Sequence, residues 1–465
     1  MSDPSYTEAS FTQFSKSFSG RIVRPGDAVY EDARAIFNAM VEKRPSIIAT
    51  CTNEDDVVLG IEFAREHGLE IAVRSGGHSV AGAGLSDGGI VLDMRGMNRV
   101  QVDATNRVVR AGGGAVWGEL DKATAMHGLA TTGGRVSTTG VAGLTLGGGS
   151  GWLERKHGLA CDNLLAVELI TAEGERVRAS QDENPDLFWA LHGGGGNFGV
   201  ATAFEFRVHP IGENILAALL LYPPERGPEV ARVYRDLVAN APDELGGGFA
   251  YLTAPPEEFV APQLQGTVMS GVIVTWAGDV AAGEKFIQPL LNLDPAVQLV
   301  MPVPYVEFQH MLDDPPGYRN YWTAEYHQEF PDEAIDIFCD FGMRAKPSPT
   351  QLILLPWGGQ VGRVGEDDTP MTQRGARWVT HPLSLWESAA DDDFWITWSR
   401  AVADEMKRFS TGATYLNFIG DEGADRVVSA FGQKKYERLA AIKAQYDPDN
   451  VFHLNQNIKP LAGAR

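Results

Sequence analysis

A histidine in a glycine-rich turn, directly after an apolar run, is the feature that most limits how this chain can fold. The apolar residues 69–73 predict a strand, and Arg74-Ser75-Gly76-Gly77-His78-Ser79 follows it at once. Glycine lets a backbone approach a phosphate or a flat ring closely, and consecutive N–H groups in such a turn form a compact anion site. The stretch predicts a phosphate-binding turn, and a solvated turn histidine is the alternative that it leaves open by itself.

Three further segments rich in glycine or asparagine lie downstream of this turn. In chain order they are Gly147-Gly148-Gly149-Ser150-Gly151-Trp152, Gly193-Gly194-Gly195-Gly196-Asn197-Phe198-Gly199-Val200 and Asn455-Gln456-Asn457. The second leads into a β-type run and not into a helix, so it is no Rossmann fingerprint, and no Gly-Lys-Ser/Thr follows to make a P-loop. It indicates backbone placed under a phosphate or an adenine.

The composition is that of a large soluble enzyme. The chain has 465 residues, 44% of them hydrophobic and 22% charged, and two domains of roughly 200 residues are expected. The net charge of −22 is spread over both halves, which argues against nucleic acid and anionic membranes as partners. We find no leader peptide and no apolar run of membrane-spanning length, so we expect a cytoplasmic protein.

The three cysteines, Cys51, Cys161 and Cys339, are odd in number and far apart. Because they also lack metal-ligand spacing, neither a disulfide framework nor a metal site is expected. Each is predicted to be a small buried residue.

Alternating strand and helix patterns fill the first part of the chain, and longer strands with many aromatic residues fill the second. We predict strands over residues 46–49, 69–73, 90–93, 100–102, 107–110 and 268–276, and helices over 54–67, 117–127, 185–191, 228–239, 391–409 and 437–445. Glycine density falls after Pro210. The expected domains are an N-terminal one over 1–210, a second over 211–410 and a return to the first over 411–465.

In their order and separations the four segments resemble the FAD-linked oxidases of the vanillyl-alcohol-oxidase superfamily, which have the PCMH-type FAD-binding fold. Within it the chain is most similar to the berberine-bridge-enzyme-like group that includes 6-hydroxynicotine oxidases, from about residue 20 to residue 460. The resemblance implies an α+β, two-domain fold whose substrate domain is built on an antiparallel sheet flanked by helices.

The resemblance also implies that FAD is bound covalently through His78. Many relatives add a second bond from a cysteine, but Val136 occupies that position, so we expect a single tether and interpret Cys161 as a core residue. Thr139 stands where the family tunes oxygen access. The residues expected at the cofactor are Arg74, Ser75, Gly76, Gly77, His78, Ser79, Gly82, Ser137, Thr139, Gly140, Gly143, Leu144, Gly147, Gly149, Gly151, Trp152, Asn163, Gly199, Val200, Asn455 and Asn457.

On the substrate side, Tyr415 and Asn417 match the family's Y-x-N-[YF] pattern and are the expected catalytic residues. Tyr415 would remove or orient a substrate proton, and a tyrosine that merely walls the pocket is the alternative. A base role needs a lowered phenol pKa, for which the sequence names no cause. Five further aromatic residues could line the pocket, although aromatic residues at such spacings more often belong to the core: Trp152, Tyr251, Tyr321, Trp322 and Trp357.

These observations predict an FAD-dependent oxidase. Hydride would pass from a small, partly apolar amine, alcohol or phenolic metabolite to the flavin, and dioxygen would accept the electrons to give hydrogen peroxide. The alternatives are a flavin-dependent oxygenating enzyme of secondary metabolism, a sugar or oligosaccharide oxidase, a dehydrogenase with another acceptor, and a silent flavin-binding protein. The expected partners are the substrate and dioxygen, with no nucleic acid, membrane or metal, and the sequence leaves the oligomeric state open.

Overall fold

Two sheets of different construction make up the N-terminal part of the chain in the computed structural model, which describes residues 6–311, 313 and 316–462. The first has the order β1-β2-β4-β3, with β4 parallel to both β2 and β3 and β1 antiparallel to β2. Its elements are α1 (Glu8–Ser17), β1 (Arg21–Val23), α2 (Tyr30–Arg34), β2 (Ile47–Thr50), α3 (Glu54–Glu66), β3 (Ile71–Arg74) and β4 (Ile90–Asp93). The glycine turn follows β3 at the carboxyl edge of this sheet.

The second sheet is antiparallel, in the order β5-β6-β10-β8-β9, and a two-stranded ribbon of β7 and β11 accompanies it. The elements of this part are β5 (Val100–Asp103), β6 (Val108–Gly112), α4 (Trp117–Ala125), β7 (Leu129–Ala130), α5 (Val141–Leu146), α6 (Glu154–His157), β8 (Leu164–Ile170), β9 (Arg176–Ser180), α7 (Pro185–Ala190), β10 (Val200–Arg207) and β11 (His209–Pro210).

An eight-stranded antiparallel sheet dominates the rest of the chain. Its order is β15-β12-β14-β13-β18-β19-β16, and β17 pairs with β19 beside β16. The elements are β12 (Ile215–Tyr222), α8 (Gly227–Ala239), β13 (Leu245–Thr253), β14 (Val268–Trp276), α9 (Val280–Phe286), α10 (Gln288–Leu291), β15 (Val297–Val303), α11 (Tyr305–Met311), β16 (Arg319–Trp322), β17 (Glu325–His327), α12 (Asp332–Met343), β18 (Gln351–Pro356), β19 (Trp378–Trp386), α13 (Asp392–Met406), α14 (Ala424–Phe431) and α15 (Gln433–Tyr446).

The two faces of this large sheet have different neighbours. One face, which carries Phe249 and Leu354, packs on α8, α12 and α13 in a single apolar core. The other face, which carries Leu355 and Val379, shares a core with Phe204 of the second sheet. We refer to this second face as the cofactor-side face, because the chain segments expected to hold the cofactor pack toward it.

Most predicted elements are present, and their boundaries differ for local reasons. Asn53 caps α3 as expected, since its side chain accepts the Asp56 N–H at 2.9 Å. The strand predicted over 69–73 begins at Ile71, because the Leu69 N–H still donates to the Ala64 carbonyl at the end of α3. The last helix begins earlier than predicted, at Gln433, directly after Gly432, whose φ of 71° ends α14.

The three cysteines are buried and free, as expected. Among the described residues, no helix has the length and apolar character needed to cross a membrane. The domain boundaries near 210 and 410 stay predictions.

Buried neutral histidines should make the stability depend on pH. Burial lowers the pKa of His327 and of His381 to about 4, against 6.5 when exposed. The unfolded chain therefore takes up these protons first, and the free energy of unfolding should fall as pH drops from 6.5 toward 4. Each histidine contributes about 1.4 kcal/mol per pH unit in that window. Urea unfolding between pH 7 and pH 5 measures the slope, and a stability independent of pH there would contradict the burial.

Candidate active site

The glycine turn after β3 touches a second loop backbone to backbone. A Cβ atom on Gly76 would lie 2.3 Å from the Gly140 nitrogen, and one on Gly140 would lie 2.4 Å from the Gly76 nitrogen. Gly77 and Gly82 have φ values of 76° and 71°, which other residues rarely adopt. Glycine is thus required at these positions for the turn to close against the loop around Gly140.

The turn offers a ligand its backbone rather than its arginine. Arg74 is 1% exposed, and its guanidinium donates to Asp93 and to the Ala33 carbonyl, both at 2.6 Å. Ser79 accepts the Ala83 N–H at 3.1 Å, which closes the far side of the turn. Ser75 Oγ, in contrast, is buried with no protein partner. A buried hydroxyl without a partner costs free energy, so this atom marks where a bound group would contact the turn.

His78 lies between an aromatic ring and two threonines. Its ring stacks on Phe37 with centroids 4.3 Å apart. Its Nε2 lies 2.8 Å from Thr138 Oγ1, whereas Nδ1 lies 3.5 Å from Thr139 Oγ1. Burial lowers the pKa of His78 to about 4, so the imidazole is neutral and keeps a nitrogen lone pair available for covalent attachment.

The loop next to His78 is held from the substrate side of the protein. The Ser137 N–H donates to Asp313 Oδ1 at 2.6 Å, and the Ser137 hydroxyl donates to the other carboxylate oxygen. Asp313 follows α11, which begins directly after the large sheet's strand β15. The position of Thr138 and Thr139 therefore depends on contacts between the two parts of the chain.

N–H groups of the second glycine segment donate hydrogen bonds to acceptors within the protein. Those of Gly149 and Ser150 donate to Tyr415 Oη at 2.7 and 2.9 Å, and that of Gly151 donates to Glu154 at 3.0 Å. A Cβ on Gly147 would lie 2.0 Å from Asn417 Oδ1. This loop is therefore no phosphate nest, and its glycines serve close packing against the 415–417 segment.

Tyr415 and Asn417 form one unit with this loop. The Asn417 amide donates to Tyr415 Oη at 3.1 Å and to the Leu144 carbonyl of α5 at 2.9 Å. Tyr415 is 1% exposed, and burial raises its pKa above the ordinary value although three donors point at its oxygen. The segment is a short helical turn and not an edge strand. With three hydrogen bonds accepted, Tyr415 Oη ties Gly149 and Ser150 to the 415–417 segment, which the Asn417 amide in turn joins to α5.

The third glycine segment meets the C-terminal asparagines. The Asn455 amide donates to the Gly196 carbonyl at 2.9 Å, and Asn455 Oδ1 is buried without a partner. Asn457 Oδ1 accepts from the buried ammonium of Lys443 at 3.2 Å. Gly199 lies against the Ile170 carbonyl, where a Cβ would approach to 2.5 Å, and Val200 then begins β10.

These features fit an extended dinucleotide. Two buried polar atoms without partners, Ser75 Oγ and Asn455 Oδ1, lie in segments that the sequence predicts at the cofactor. At Gly143 and Gly196 a Cβ would meet nothing within 4 Å, so open space lies beside the backbone there. Ser75, Gly143, Gly196 and Asn455 therefore leave polar atoms or space open to a bound ligand.

Several residues singled out in the sequence lie elsewhere. The Asn163 side chain is hydrogen-bonded to the carbonyls of residues 157 and 159 and to His209, so only its backbone is available to a cofactor. Trp152 packs edge-on against Phe308, with ring centroids 5.1 Å apart. Including Tyr251 and Tyr321 in an aromatic pocket was wrong: both belong to the core on the helix-covered face of the large sheet.

His381 was missed in the sequence and has an unusual environment. It is 1% exposed on β19, and its Nδ1 donates to the Thr323 carbonyl at 3.0 Å. Its Nε2 is buried without a partner. Because burial holds its pKa near 4, this nitrogen is a free hydrogen-bond acceptor. The available signal was its place in an alternating strand, Val379 to Leu383, opposite the strand that leads to Pro356-Trp357-Gly358-Gly359.

A series of aromatic rings connects His381 to the proposed tether. His381 stacks on Phe418 at 4.3 Å and meets the edge of Trp322 at 5.6 Å. Trp322 meets Phe37 at 6.0 Å, and Phe37 stacks on His78. Phe418 in turn contacts the ring of Tyr415 at 4.7 Å. The sequence-predicted residues His78 and Tyr415 thus lie on one site, with His381 between them.

Comparisons with known proteins identify the family. Residues 45–180 match the FAD binding domain family, and residues 414–459 match the family described as berberine and berberine like. The chain is 32% identical to (R)-6-hydroxynicotine oxidase of Paenarthrobacter nicotinovorans over 96% of its own length and 97% of that protein's. The chain belongs to the berberine-bridge-enzyme-like family of FAD-linked oxidoreductases.

Solved structures match over nearly the whole chain. The crystal structure of 6-hydroxy-D-nicotine oxidase from Arthrobacter nicotinovorans superposes with a TM-score of 0.84 at 28% identity, covering 96% of this chain and 99% of that one. Glucooligosaccharide oxidase from Acremonium strictum, with a 6-S-cysteinyl, 8α-N1-histidyl FAD, gives a TM-score of 0.85 at 21% identity, over 98% of this chain and 100% of that one. The predicted α+β, PCMH-type fold is confirmed, and this oxidoreductase uses FAD.

Tyr415→Phe tests what the tyrosine hydroxyl does in this oxidoreductase. Its removal leaves three buried N–H donors without an acceptor, and we expect the free energy of unfolding to fall by about 2–4 kcal/mol. If Tyr415 also takes the substrate proton, anaerobic flavin reduction should slow by on the order of 100-fold at unchanged FAD content. A rate change below threefold would assign Tyr415 to holding the loop. Tyr326→Phe is the matched control, because the buried Tyr326 hydroxyl has no partner to lose.

Proposed function

We propose that this oxidoreductase is an oxidase of a small, partly apolar metabolite, an amine, an alcohol or a phenolic compound, with dioxygen as the electron acceptor. The observation that carries this proposal is the unpaired Nε2 of His381 on the cofactor-side face, beside Trp322 and Phe418. A buried acceptor in an aromatic surround suits a compact substrate with one O–H or N–H group to bind.

FAD would be held covalently through His78 and otherwise by backbone. The histidine lies in the glycine turn, is neutral, and has Thr138 to fix its orientation at 2.8 Å. Ser75 Oγ and Asn455 Oδ1 would contact the cofactor, since both lack protein partners. A single tether is proposed because Val136 replaces the cysteine of doubly tethered relatives.

Different residues of the chain would bind the substrate, accept its proton and hold the surrounding loop. When bound, FAD supplies a two-electron acceptor that dioxygen reoxidises. His381 Nε2 would accept the substrate proton, and its Nδ1–H bond to the Thr323 carbonyl fixes the tautomer that leaves this lone pair free. Phe418 covers the imidazole and is half-buried itself, so its movement would admit the substrate. Tyr415 and Asn417 would hold the loop at the other side of the site.

An oligosaccharide oxidase is less well supported. Sugars need many hydrogen-bonding side chains, whereas the half-buried residues around His381 are Trp322, Ile353, Leu383 and Gln351. Only Gln351 among these offers a polar side chain of its own to a hydroxyl-rich ligand.

The test is anaerobic mixing of the purified yellow protein with panels of amines, alcohols, phenols and sugars, followed by absorbance at the flavin band. Bleaching by a small aromatic or aliphatic compound, and one hydrogen peroxide per substrate oxidised once air is admitted, is the expected result. Bleaching by sugars alone would contradict the proposed substrate class. Substrate oxidation without peroxide would replace the oxidase by a dehydrogenase or an oxygenating enzyme.

A further inference from the structure

The cofactor-side face of the large sheet carries no charged side chain. Side chains alternate along a strand, and the pairings of β12 to β19 define which residues share this face with Leu355 and Val379. All of its strand residues lie in the described part of the chain. Apart from apolar residues and glycines it holds only Thr275, Asn320, Tyr326, Gln351 and His381. The opposite face, in contrast, bears Glu325, which pairs with Arg426 at 2.6 Å.

A half-buried patch of this face adjoins His381. Gln351 pairs with Leu383, and Ile353 pairs with His381, across β18 and β19. Trp322 pairs with Leu383 on the other side. These four neighbours of His381, namely Gln351, Ile353, Leu383 and Trp322, are half-buried, whereas His381 and Val379 are fully buried. We call them the floor of the site, since they are the part of the face that a small ligand can still cover.

The charged groups on the cofactor side do not make this patch suitable for binding a cation. The charged group that acts on His381 is the guanidinium of Arg135, and its effect is to disfavour a positive charge on the imidazole. Arg135 is paired with the buried carboxylate of Glu154 at 3.0 Å, and Glu154 also accepts the Gly151 N–H. That carboxylate is therefore committed and offers no counter-charge to a ligand.

A ligand cation would lose its hydration here without gaining a partner. Removing an ammonium group from water is unfavourable unless a carboxylate or several oxygen acceptors replace the water. An uncharged aromatic ring, in contrast, can pack on Trp322 and Ile353. Its single hydroxyl group then meets the unpaired Nε2 of His381, which satisfies a polar atom that the protein leaves open.

We propose that the substrate is an uncharged aromatic compound oxidised at a hydroxyl-bearing carbon, and not a cationic amine; this inference rests on the oxidase function proposed above. One C–H and one O–H bond of the substrate break and a C=O bond forms. The hydroxyl donates a hydrogen bond to His381 Nε2, which takes the proton only in passing to water, because burial and Arg135 disfavour a lasting positive charge on the imidazole. The C–H hydrogen would leave with its electron pair to FAD, and dioxygen takes up the two electrons and two protons to become hydrogen peroxide.

The test compares two probes that differ only in the reacting group, benzyl alcohol and benzylamine, with the FAD-loaded protein at pH 7. We expect anaerobic flavin reduction to be at least 100-fold more efficient with the alcohol. The chain has ten tryptophans, so the fluorescence change that is present in the wild type and lost in Trp322→Phe isolates Trp322. That change should give tighter binding of the alcohol independently of turnover. Reduction by the amine at an equal or higher rate overturns the inference and leaves the oxidase function standing. No reduction by either probe or by any compound of the panels overturns the proposed function, and the inference with it.

A carboxylate added to the floor should weaken the preference for the alcohol. Gln351→Glu changes charge at nearly constant shape on a half-buried residue, so wild-type Gln351 is its own matched control. The ratio of amine to alcohol efficiency should rise by on the order of 10-fold or more. Ile353→Asp, with Ile353→Asn as its uncharged control, repeats the test directly beside His381. An unchanged ratio in both Gln351→Glu and Ile353→Asp would overturn the inference, because a charge-free floor would then not be what selects the substrate.

Discussion

Replacing His78 by alanine is expected to abolish the retention of flavin by acid-precipitated protein. In the wild type the yellow colour should stay with the pellet, and a flavin-bearing peptide should contain His78. In His78→Ala all flavin should appear in the supernatant, because the turn holds no other imidazole and no thiol. The variant should still fold and bind FAD reversibly, since the N–H groups and Ser75 Oγ that we propose to contact the cofactor are left in place by the substitution.

Cys161→Ser is the control for this experiment. Cys161 is fully buried, and burial raises the pKa of its thiol, so it has neither the access nor the thiolate character that attachment requires. Colour should remain in the pellet of this variant as in the wild type. A flavin-bearing peptide containing Cys161, or colour lost from the wild-type pellet, would disprove the single histidyl tether.

The second large effect is expected at His381. Replacing it by leucine removes the unpaired Nε2 while keeping an apolar side chain of similar size against Phe418. Anaerobic flavin reduction should slow by on the order of 100-fold or more, because the substrate hydroxyl loses the unpaired acceptor that we propose it meets. FAD content should not change. Stopped-flow absorbance measures the rate, and the acid-precipitation assay measures the bound flavin.

His327→Leu is the matched control for that variant. His327 is equally buried, and burial also lowers its pKa to about 4, but it lies on the helix-covered face and both its nitrogens are bonded, to Thr380 and to the Phe409 carbonyl. This variant should lose stability without slowing flavin reduction. Equal loss of rate in both variants would show that any buried histidine of this sheet acts through folding alone, and His381 would lose its proposed role.

The strands and helices of the N-terminal part were predictable because local patterns and caps determine them. Asn53 caps α3, and the apolar run before Arg74 forms β3. The extent of α15 was not, because Gly432 alone separates two helices and the apolar pattern does not show it. Placing Tyr251 and Tyr321 in the pocket failed for a different reason: a one-residue difference along a strand puts a side chain on the opposite face of a sheet.

In the candidate site, too, some features were predictable from the sequence and others were not. His78 and Tyr415 could be found in the sequence because each lies in a short motif whose residue types are set by local geometry. Their relation could not be found, since the rings between them come from Phe37, Trp322 and Phe418, which are far apart in the chain. His381 escaped notice for that reason too. A single histidine in a strand does not indicate a function from the sequence alone. Its role is suggested only by the structure, in which Nδ1 donates to the Thr323 carbonyl and Nε2 is buried without a partner.

The sequence by itself determined the cofactor class and, through the family resemblance, the histidine expected to carry it, because the motifs on which the resemblance depends are short and local. Only the tertiary structure decided what the glycines of 147–151 do. Their N–H groups are taken by Tyr415 and Glu154, residues that long-range packing brings to them. It also decided that one whole face of the large sheet is free of charge, because that property belongs to eight strands paired in register and to no segment alone.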